Sequence, residues 1–289
     1  MYKKMVRRFS RFGLKYFSNY MSPLKEEIKQ SDIGTVYEIY VGKMFFFSLI
    51  SSILIFIYAI AIFTLIGRFS LLISSVSGLL MAVISFFAIL TIFHSYPFHL
   101  SANKKLSIDS NLPFAMNHAA AIAASGAPPS VLFRLLMAVP EYGQISKESG
   151  KIIRNITVFG MDTVSAIRDV ADRTPSTEFR QYLYGIISTI ETGGDLKSYL
   201  EGTAKDALFA YELKRERFLN TLTTYADFYT SVLIAAPLFF VSILSMMSLV
   251  GGQVLGMDIT TAMRLGIYLV IPLLNIGFIL FVHYTQPSV

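Results

Sequence analysis

Hydrophobic and polar positions alternate along this chain on the scale of whole helices. Four apolar runs carry no charge, at residues 44–66, 69–93, 228–250 and 265–284. Each holds about 20 residues or more, enough to cross a hydrocarbon core roughly 30 Å thick as a helix. They come as two pairs around a polar segment, residues 94–227. The pattern predicts an all-α membrane protein with four transmembrane helices in two hairpins flanking a cytoplasmic helical bundle. The divisions are an N-terminal arm (1–43), a first hairpin (44–93), a six-helix cytoplasmic domain (94–227), a second hairpin (228–284) and a short cytoplasmic tail (285–289).

Inside the polar segment the apolar period is that of a helix. Residues 112–125 read as one helix stopped by Gly126, and the prolines Pro128 and Pro129 open the next. A third covers residues 144–158, and Asp162 caps a fourth. Thr174 and Pro175 open a fifth, with Phe179, Tyr182, Leu183, Ile186, Ile187 and Ile190 on one face. Thr192, Gly193, Gly194 and Asp195 form a stop-and-start turn. From Asp195 a nearly unbroken rod is expected to run to about Val250, with Pro237 as its bend.

The N-terminal arm has its own pattern. Lys4, Arg8, Arg11 and Lys15 follow helical spacing, with Val6, Phe9, Gly13, Tyr16, Phe17 and Tyr20 roughly opposite. This is a basic amphipathic helix suited to an anionic lipid surface. Its greasy face argues against a nucleic-acid partner. Ser22 and Pro23 read as the start of a second short helix, and Thr35 with Glu38 as a capping box for the helix entering the membrane.

Charge sets the orientation. Residues 1–43 hold nine basic residues and residues 94–227 hold fourteen, whereas each hairpin tip holds one, Arg68 or Arg264. Basic loops stay inside, so the arm, the middle domain and the tail are expected in the cytoplasm. The net charge of +6 is mostly N-terminal, because the middle domain balances fourteen basic against fourteen acidic residues. With no cysteine there is neither a disulfide nor a thiolate metal site.

The chemistry-bearing residues form no catalytic pattern. His94, His99, His118 and His283 have no metal-binding spacing. The Gly150–Lys151 pair fails the P-loop template, which needs glycine at Ile145 and Ser or Thr at Ile152. Ion-coupled transport is disfavoured because no span carries Asp, Glu, Lys or Arg and His283 lies at a membrane end; Asn275 and the prolines Pro237 and Pro272 are their main irregularities. No enzyme activity, cofactor or metal is expected.

Four stretches then appear in order: AIAASGAPPSVLF (121–133), YGQISKESGKIIRN (142–155), FGMDTVSAIRDVADRTPS (159–176) and GIISTIETGGDLKSYL (185–200). Together they resemble the type II secretion system F domain. The wording is nearest to platform proteins of archaeal type IV pili, the archaellum and the Tad pilus. The resemblance implies an inner-membrane platform that couples a hexameric cytoplasmic secretion ATPase to insertion of pilin subunits into a filament. Bacterial type II secretion and type IV pilus platforms usually carry two copies of this domain, archaeal ones often have more spans, and one copy is found here. A homodimer, or a heteromer with a sister platform protein, is therefore implied.

Lys147, Lys151 and Arg154 form a basic stripe, and with Arg168, Lys214, Arg215 and Arg217 they are the ATPase-facing set under that resemblance; the alternative is a solvated helix face, with Lys214, Arg215 and Arg217 following the positive-inside bias. Gly193, Gly194 and Asp195 are the hinge set, with a tight turn as their structural role. The competing reading is a membrane scaffold or receptor that organises another cytoplasmic partner, without pilins.

Overall fold

A computed structural model describes residues 2–16, 18–65, 67, 70–251, 253–254 and 256–285. Arg68, Phe17 and the tail beyond Thr285 lie outside the described residues. The chain forms two compact units, Met1–Lys205 and Asp206–Val289. The described residues are nearly all helical, apart from a two-residue antiparallel pairing of β1 (Gln253–Val254) with β2 (Met257–Asp258). Four helical stretches are long and apolar enough to cross a membrane: Tyr37–Thr64, Leu71–Ala124, Leu196–Val250 and Ile259–Thr285. The protein is a multi-pass membrane protein.

In the first unit the hairpin pairs α3 (Tyr37–Leu65) with α4 (Leu71–Ala124). Small residues line the seam, so the backbones approach closely. Ser52 Oγ donates to the Ala82 carbonyl at 2.9 Å, and a Cβ on Gly78 would stand 3.3 Å from Ile60. The outward face is apolar and exposed, as at Leu71, Leu72 and Leu79, which suits lipid.

The 54 residues of α4 make a helix about 80 Å long. This corrects the expected separate helix at residues 112–125, which is the last quarter of α4. No glycine occurs between Gly78 and Gly126 to stop it. Pro97 and Pro113 each cost it one backbone hydrogen bond without ending it. It stops where Gly126 takes φ 74°, the left-handed C′ position of the turn.

The arm wraps the foot of this hairpin. Helix α1 (Tyr2–Tyr16) lies against α3: a Cβ on Gly42 would meet the Val6 carbonyl oxygen, and one on Gly13 would meet the Phe45 ring. Val6 and Gly13, on the greasy side of α1, are thus buried against protein. Helix α2 (Ser18–Gln30) begins upstream of the expected Ser22–Pro23 start and contains Pro23. Burial explains the difference: Met21, Leu24 and Ile28 share one face and join Tyr40, Val41, Met44 and Phe45 in a core cluster. Helix α3 begins at Tyr37, and the expected capping box does not form, because the Thr35 hydroxyl is buried with no hydrogen-bond partner. Tyrosines fasten the foot instead. Tyr37 Oη donates to the Met21 carbonyl at 3.0 Å, and Tyr40 Oη to the Phe93 carbonyl at 2.7 Å.

The last third of α4 forms a bundle with α5 (Pro129–Met137), α6 (Gln144–Thr157), α7 (Thr163–Ala171), α8 (Thr177–Glu191) and the start of α9 (Leu196–Phe228). Its core holds Ile108, Leu112, Phe133, Leu136, Ile152, Ile167, Phe179, Leu183 and Leu200. Asp162 caps α7 as expected, its carboxylate accepting from the Ser165 N–H. The cap of α8 is Ser176, two residues beyond the expected Thr174. Its hydroxyl accepts from the Phe179 N–H and donates to Asp109 on α4, an anchor Thr174 does not make.

In the second unit the membrane segments are broken in the same way twice. A π-helical stretch, Tyr229–Ala235, precedes α10 (Ala236–Val250), and another, Gly266–Val270, joins α11 (Ile259–Leu265) to α12 (Ile271–Thr285). Pro237 and Pro272 follow directly. A proline has no N–H and crowds the carbonyl four residues back. A wider turn ahead of it relieves both faults. Asn275 Nδ2 donates to the Ile271 carbonyl at 2.9 Å, supplying a side-chain donor beside Pro272.

Helix α9 docks on α8 at Gly185, where a Cβ would stand 1.8 Å from Tyr199 Oη. That hydroxyl donates to the Tyr182 carbonyl at 3.2 Å. Gly185→Ala is therefore expected to displace Tyr199 and cost about 1–3 kcal/mol. Gly202→Ala, which meets open space, should be neutral or gain up to about 1 kcal/mol. Thermal unfolding of the two purified variants checks the contrast.

Candidate partner-docking site

Helix α6 carries the basic stripe. Its apolar positions Ile145, Ile152 and Ile153 are buried, which turns Lys147 and Arg154 outward and leaves Lys151 half-buried. The Arg154 guanidinium lies 6.0 Å from the Phe159 ring centroid, a cation–π contact. The three residues share one face, yet their surroundings differ.

Lys151 belongs to a four-charge cluster. Lys104, on α4, is 4% exposed and Glu148, on α6, is 1% exposed. Lys104 Nζ stands 2.6 Å from Asp32 Oδ2 and 2.9 Å from Glu148 Oε1, and it donates to the Gln30 carbonyl at 3.0 Å. Lys151 Nζ bonds the same two carboxylates, at 2.8 Å to Glu148 and in a short contact with Asp32. Two ammonium groups and two carboxylates thus join α4, α6 and the loop between α2 and α3. Asp32 meets this geometry at φ 55°, the one positive φ among the described non-glycine residues. Glu148 Oε2 is buried with no partner.

Electrostatics keep Asp32 and Lys151 charged. Burial would raise the Asp32 pKa, but hydrogen bonds from Lys104 and Lys151 outweigh it and hold the carboxyl below its ordinary range. Burial would lower Lys151; the Glu148 charge and the hydrogen bonds to Asp32 and Glu148 outweigh it and hold the ammonium above its ordinary value.

The other expected residues lie elsewhere. Arg168 pairs with Glu191 at 2.6 Å, both half-exposed. Lys214, Arg215 and Arg217 are exposed on the part of α9 that belongs to the second unit. Gly193 and Gly194 close α8: the Gly194 N–H reaches the Thr189 carbonyl at 2.8 Å and the Gly193 N–H the Ile190 carbonyl at 3.2 Å, with Gly193 at φ 67°. Asp195 accepts from the Lys197 N–H at 3.0 Å and starts α9. Arg8, Arg11 and Lys15 are exposed on α1, and the Lys4 side chain lies outside the described residues. Sequence reasoning missed Lys104, Asp32 and Glu148. The Glu148–Lys151 spacing was the one local signal, since residues three apart on a helix are neighbours. Lys104 and Asp32 meet them only through the fold.

The bundle that holds this cluster also matches known proteins. The family model of the type II secretion system protein F matches residues 115–244. Over those residues the chain is similar to the type II secretion system F domain. The matched stretch begins inside α4 and ends inside α10. An uncharacterized protein of Methanocaldococcus jannaschii is 27% identical over 146 residues, covering 50% of this chain and 24% of its own. Flagella accessory protein J of Methanococcus voltae is 26% identical over 145 residues, covering 50% and 26% respectively. The protein of the same name from Methanocaldococcus jannaschii is 29% identical over 99 residues, covering 34% and 18%. The chain thus spans about a quarter or less of each of these relatives. No solved structure is a significant match.

The cluster should behave as a buried ion pair. Lys104→Met removes the deeper partner of Glu148 and is expected to cost about 3–5 kcal/mol, most of it recovered when Glu148→Leu is added. Asp32 contributes stability that is complete above its unfolded pKa of about 3.9 and lost as pH falls through its lower folded value. Lys151 contributes below about pH 10.4, a contribution lost as pH rises through its higher folded value. Thermal unfolding from pH 3 to 11 should show a plateau between these limits, and Asp32→Asn should lower that plateau and flatten the fall at its acid end.

Proposed function

We propose that this protein is the platform of a type IV pilus-like or archaellum-type machine. The observation that carries the reading is the match to the F domain over residues 115–244, in a chain with four helices able to cross a membrane. In this reading the domain faces the cytoplasm, where a hexameric secretion ATPase grips it, and the membrane helices receive pilin subunits for insertion into the filament. The platform performs no chemistry of its own. The relatives named flagella accessory protein J support the archaellum-like assignment.

The topology follows from basic residues kept inside. The arm, the F domain and the tail are cytoplasmic, and the tips near residues 68 and 256 face out. Lys4, Arg8, Arg11 and Lys15 then meet anionic headgroups of the inner leaflet, while α3 covers Val6 and Gly13 on the greasy side of α1. The exposed cations Lys147 and Arg154, with Lys151 beside them, present a surface for the ATPase. Arg168 and the Lys214, Arg215 and Arg217 group extend it. Gly193, Gly194 and Asp195 serve as the joint at the foot of α9.

Two measurements test this. The chain has no cysteine, so Lys147→Cys and Thr261→Cys each give a single thiol in intact cells. An impermeant maleimide should label the second and spare the first; the reverse pattern rejects the topology. Reversing charge at Lys147 and Arg154 should weaken co-purification of the secretion ATPase by about tenfold at low salt, and less at high salt. Unchanged binding removes these residues from the contact.

A further inference from the structure

Beside the ion-pair cluster is a cavity of about 320 Å³, lined in part by Ser31, Asp32, Lys104, Gln144, Lys147 and Lys151. Three lysines face one space, and Asp32 is the one carboxylate in its lining. Glu148 balances one of those charges from within the protein. Lys147 makes no ion pair with any described residue, so the site has a cation to spare.

Asp32 is also the member most easily withdrawn. Its carboxylate is 39% exposed, against 4% for Lys104 and 1% for Glu148. It sits on a short loop, and its φ of 55° is a conformation that costs a non-glycine residue energy. If Asp32 leaves, Lys104 and Lys151 each lose a ligand. Lys104 cannot turn to water, because it is buried. A buried ammonium short of a partner is costly, so the vacated site favours a second carboxylate.

We propose that this cavity docks a carboxylate from an acidic segment of a partner protein, and that Asp32 occupies it as an internal stand-in until the partner displaces it. The inference rests on the reading that a cytoplasmic protein grips the F domain. A carboxylate is favoured because Asp32 already shows one bridging Lys104 and Lys151, and Lys147 supplies charge that Asp32 leaves unmatched. The exchange would free the loop between α2 and α3. Docking on the bundle would then be felt at the arm that wraps the first hairpin.

Ser31→Cys places a single thiol beside Asp32, at a position 4% exposed. In the full chain, in nanodiscs of zwitterionic lipid at low salt, its maleimide reaction should be slow. Hexaglutamate peptide should speed it about fivefold by favouring the open loop. Fluorescent hexaglutamate should bind the Asp32→Asn protein about tenfold more tightly than wild type, because the competing carboxylate is gone. Lys147→Gln, an exposed change, should weaken that binding, and Lys147→Gln with Lys151→Gln should abolish it. Peptide binding without faster labelling, or no gain from Asp32→Asn, would overturn the proposal. So would equal acceleration by inorganic phosphate or by phosphatidylglycerol nanodiscs, which would assign the site to phosphate or lipid. Co-purification of the ATPase on the same variants separates the two readings. An ATPase indifferent to Lys147→Gln and Asp32→Asn leaves the platform reading standing and rejects the pocket as its dock. Displacement by hexaglutamate with no ATPase bound to any form keeps the pocket and rejects the platform.

Discussion

A helix inside hydrocarbon must satisfy its own backbone hydrogen bonds, because lipid offers none. The consequence in this protein is α4. Its apolar half needs only about 20 residues to span a bilayer, yet the helix runs for 54. The remainder projects as a preformed post on which the bundle assembles. Ile108, Leu112, Ala115 and Met116, all buried, belong to the same helix that carries Leu71 and Leu79 on its outer face. A helical bundle built on a flexible linker would have to fix its placement by surface contacts. Here covalent continuity does so, and the arm and bundle need only clasp the post.

The clasp is ionic, and its energetics explain its arrangement. Burying an ammonium and a carboxylate costs several kcal/mol per ion before their attraction is counted. Lys104 and Glu148 meet that cost by sharing partners, since each touches two opposite charges and Lys104 also holds a backbone carbonyl. The remaining orphan, Glu148 Oε2, shows that the balance is not complete. Such a cluster adds little to net stability compared with an apolar core of equal volume. What it adds is specificity, because only one placement of the α2–α3 loop brings Asp32 to both lysines.

Much of this was legible in the sequence, and the misses share one cause. The four spans, the stripe from Phe179 to Ile187, the Asp162 cap and the Gly193–Gly194 turn depend on neighbours in the chain, and each was found. The errors arise where tertiary burial outweighs a local signal. Pro23 reads as a helix start, but burial of Met21 extends α2 past it. Thr174 looks like a cap, but Asp109 from a distant part of α4 selects Ser176. Residues 94–111 look like a break because their apolar period lapses, though nothing in them stops a helix. The site followed the same rule. Lys147, Lys151 and Arg154 were visible as a stripe, because spacing along one helix is a local property. That Lys151 is tied to Asp32, 119 residues away, while Lys147 makes no ion pair with any described residue depends on the fold.

That distinction bears on how a surface of fixed charge recognises anything. An exposed lysine stripe is screened within about 10 Å at ordinary salt and discriminates poorly among acidic partners. A buried lysine beside a cavity is screened far less, and its interaction depends on geometry. The cluster combines both kinds. Lys147 and Arg154 can attract a partner from a distance, and Lys104 with Lys151 can test whether one of its carboxylates fits where Asp32 already does. Because Asp32 competes for the same atoms, weak or misplaced acids are rejected, and only a partner held by further contacts outlasts it. A resident competitor thus turns general charge attraction into selection without any change in the core of the bundle.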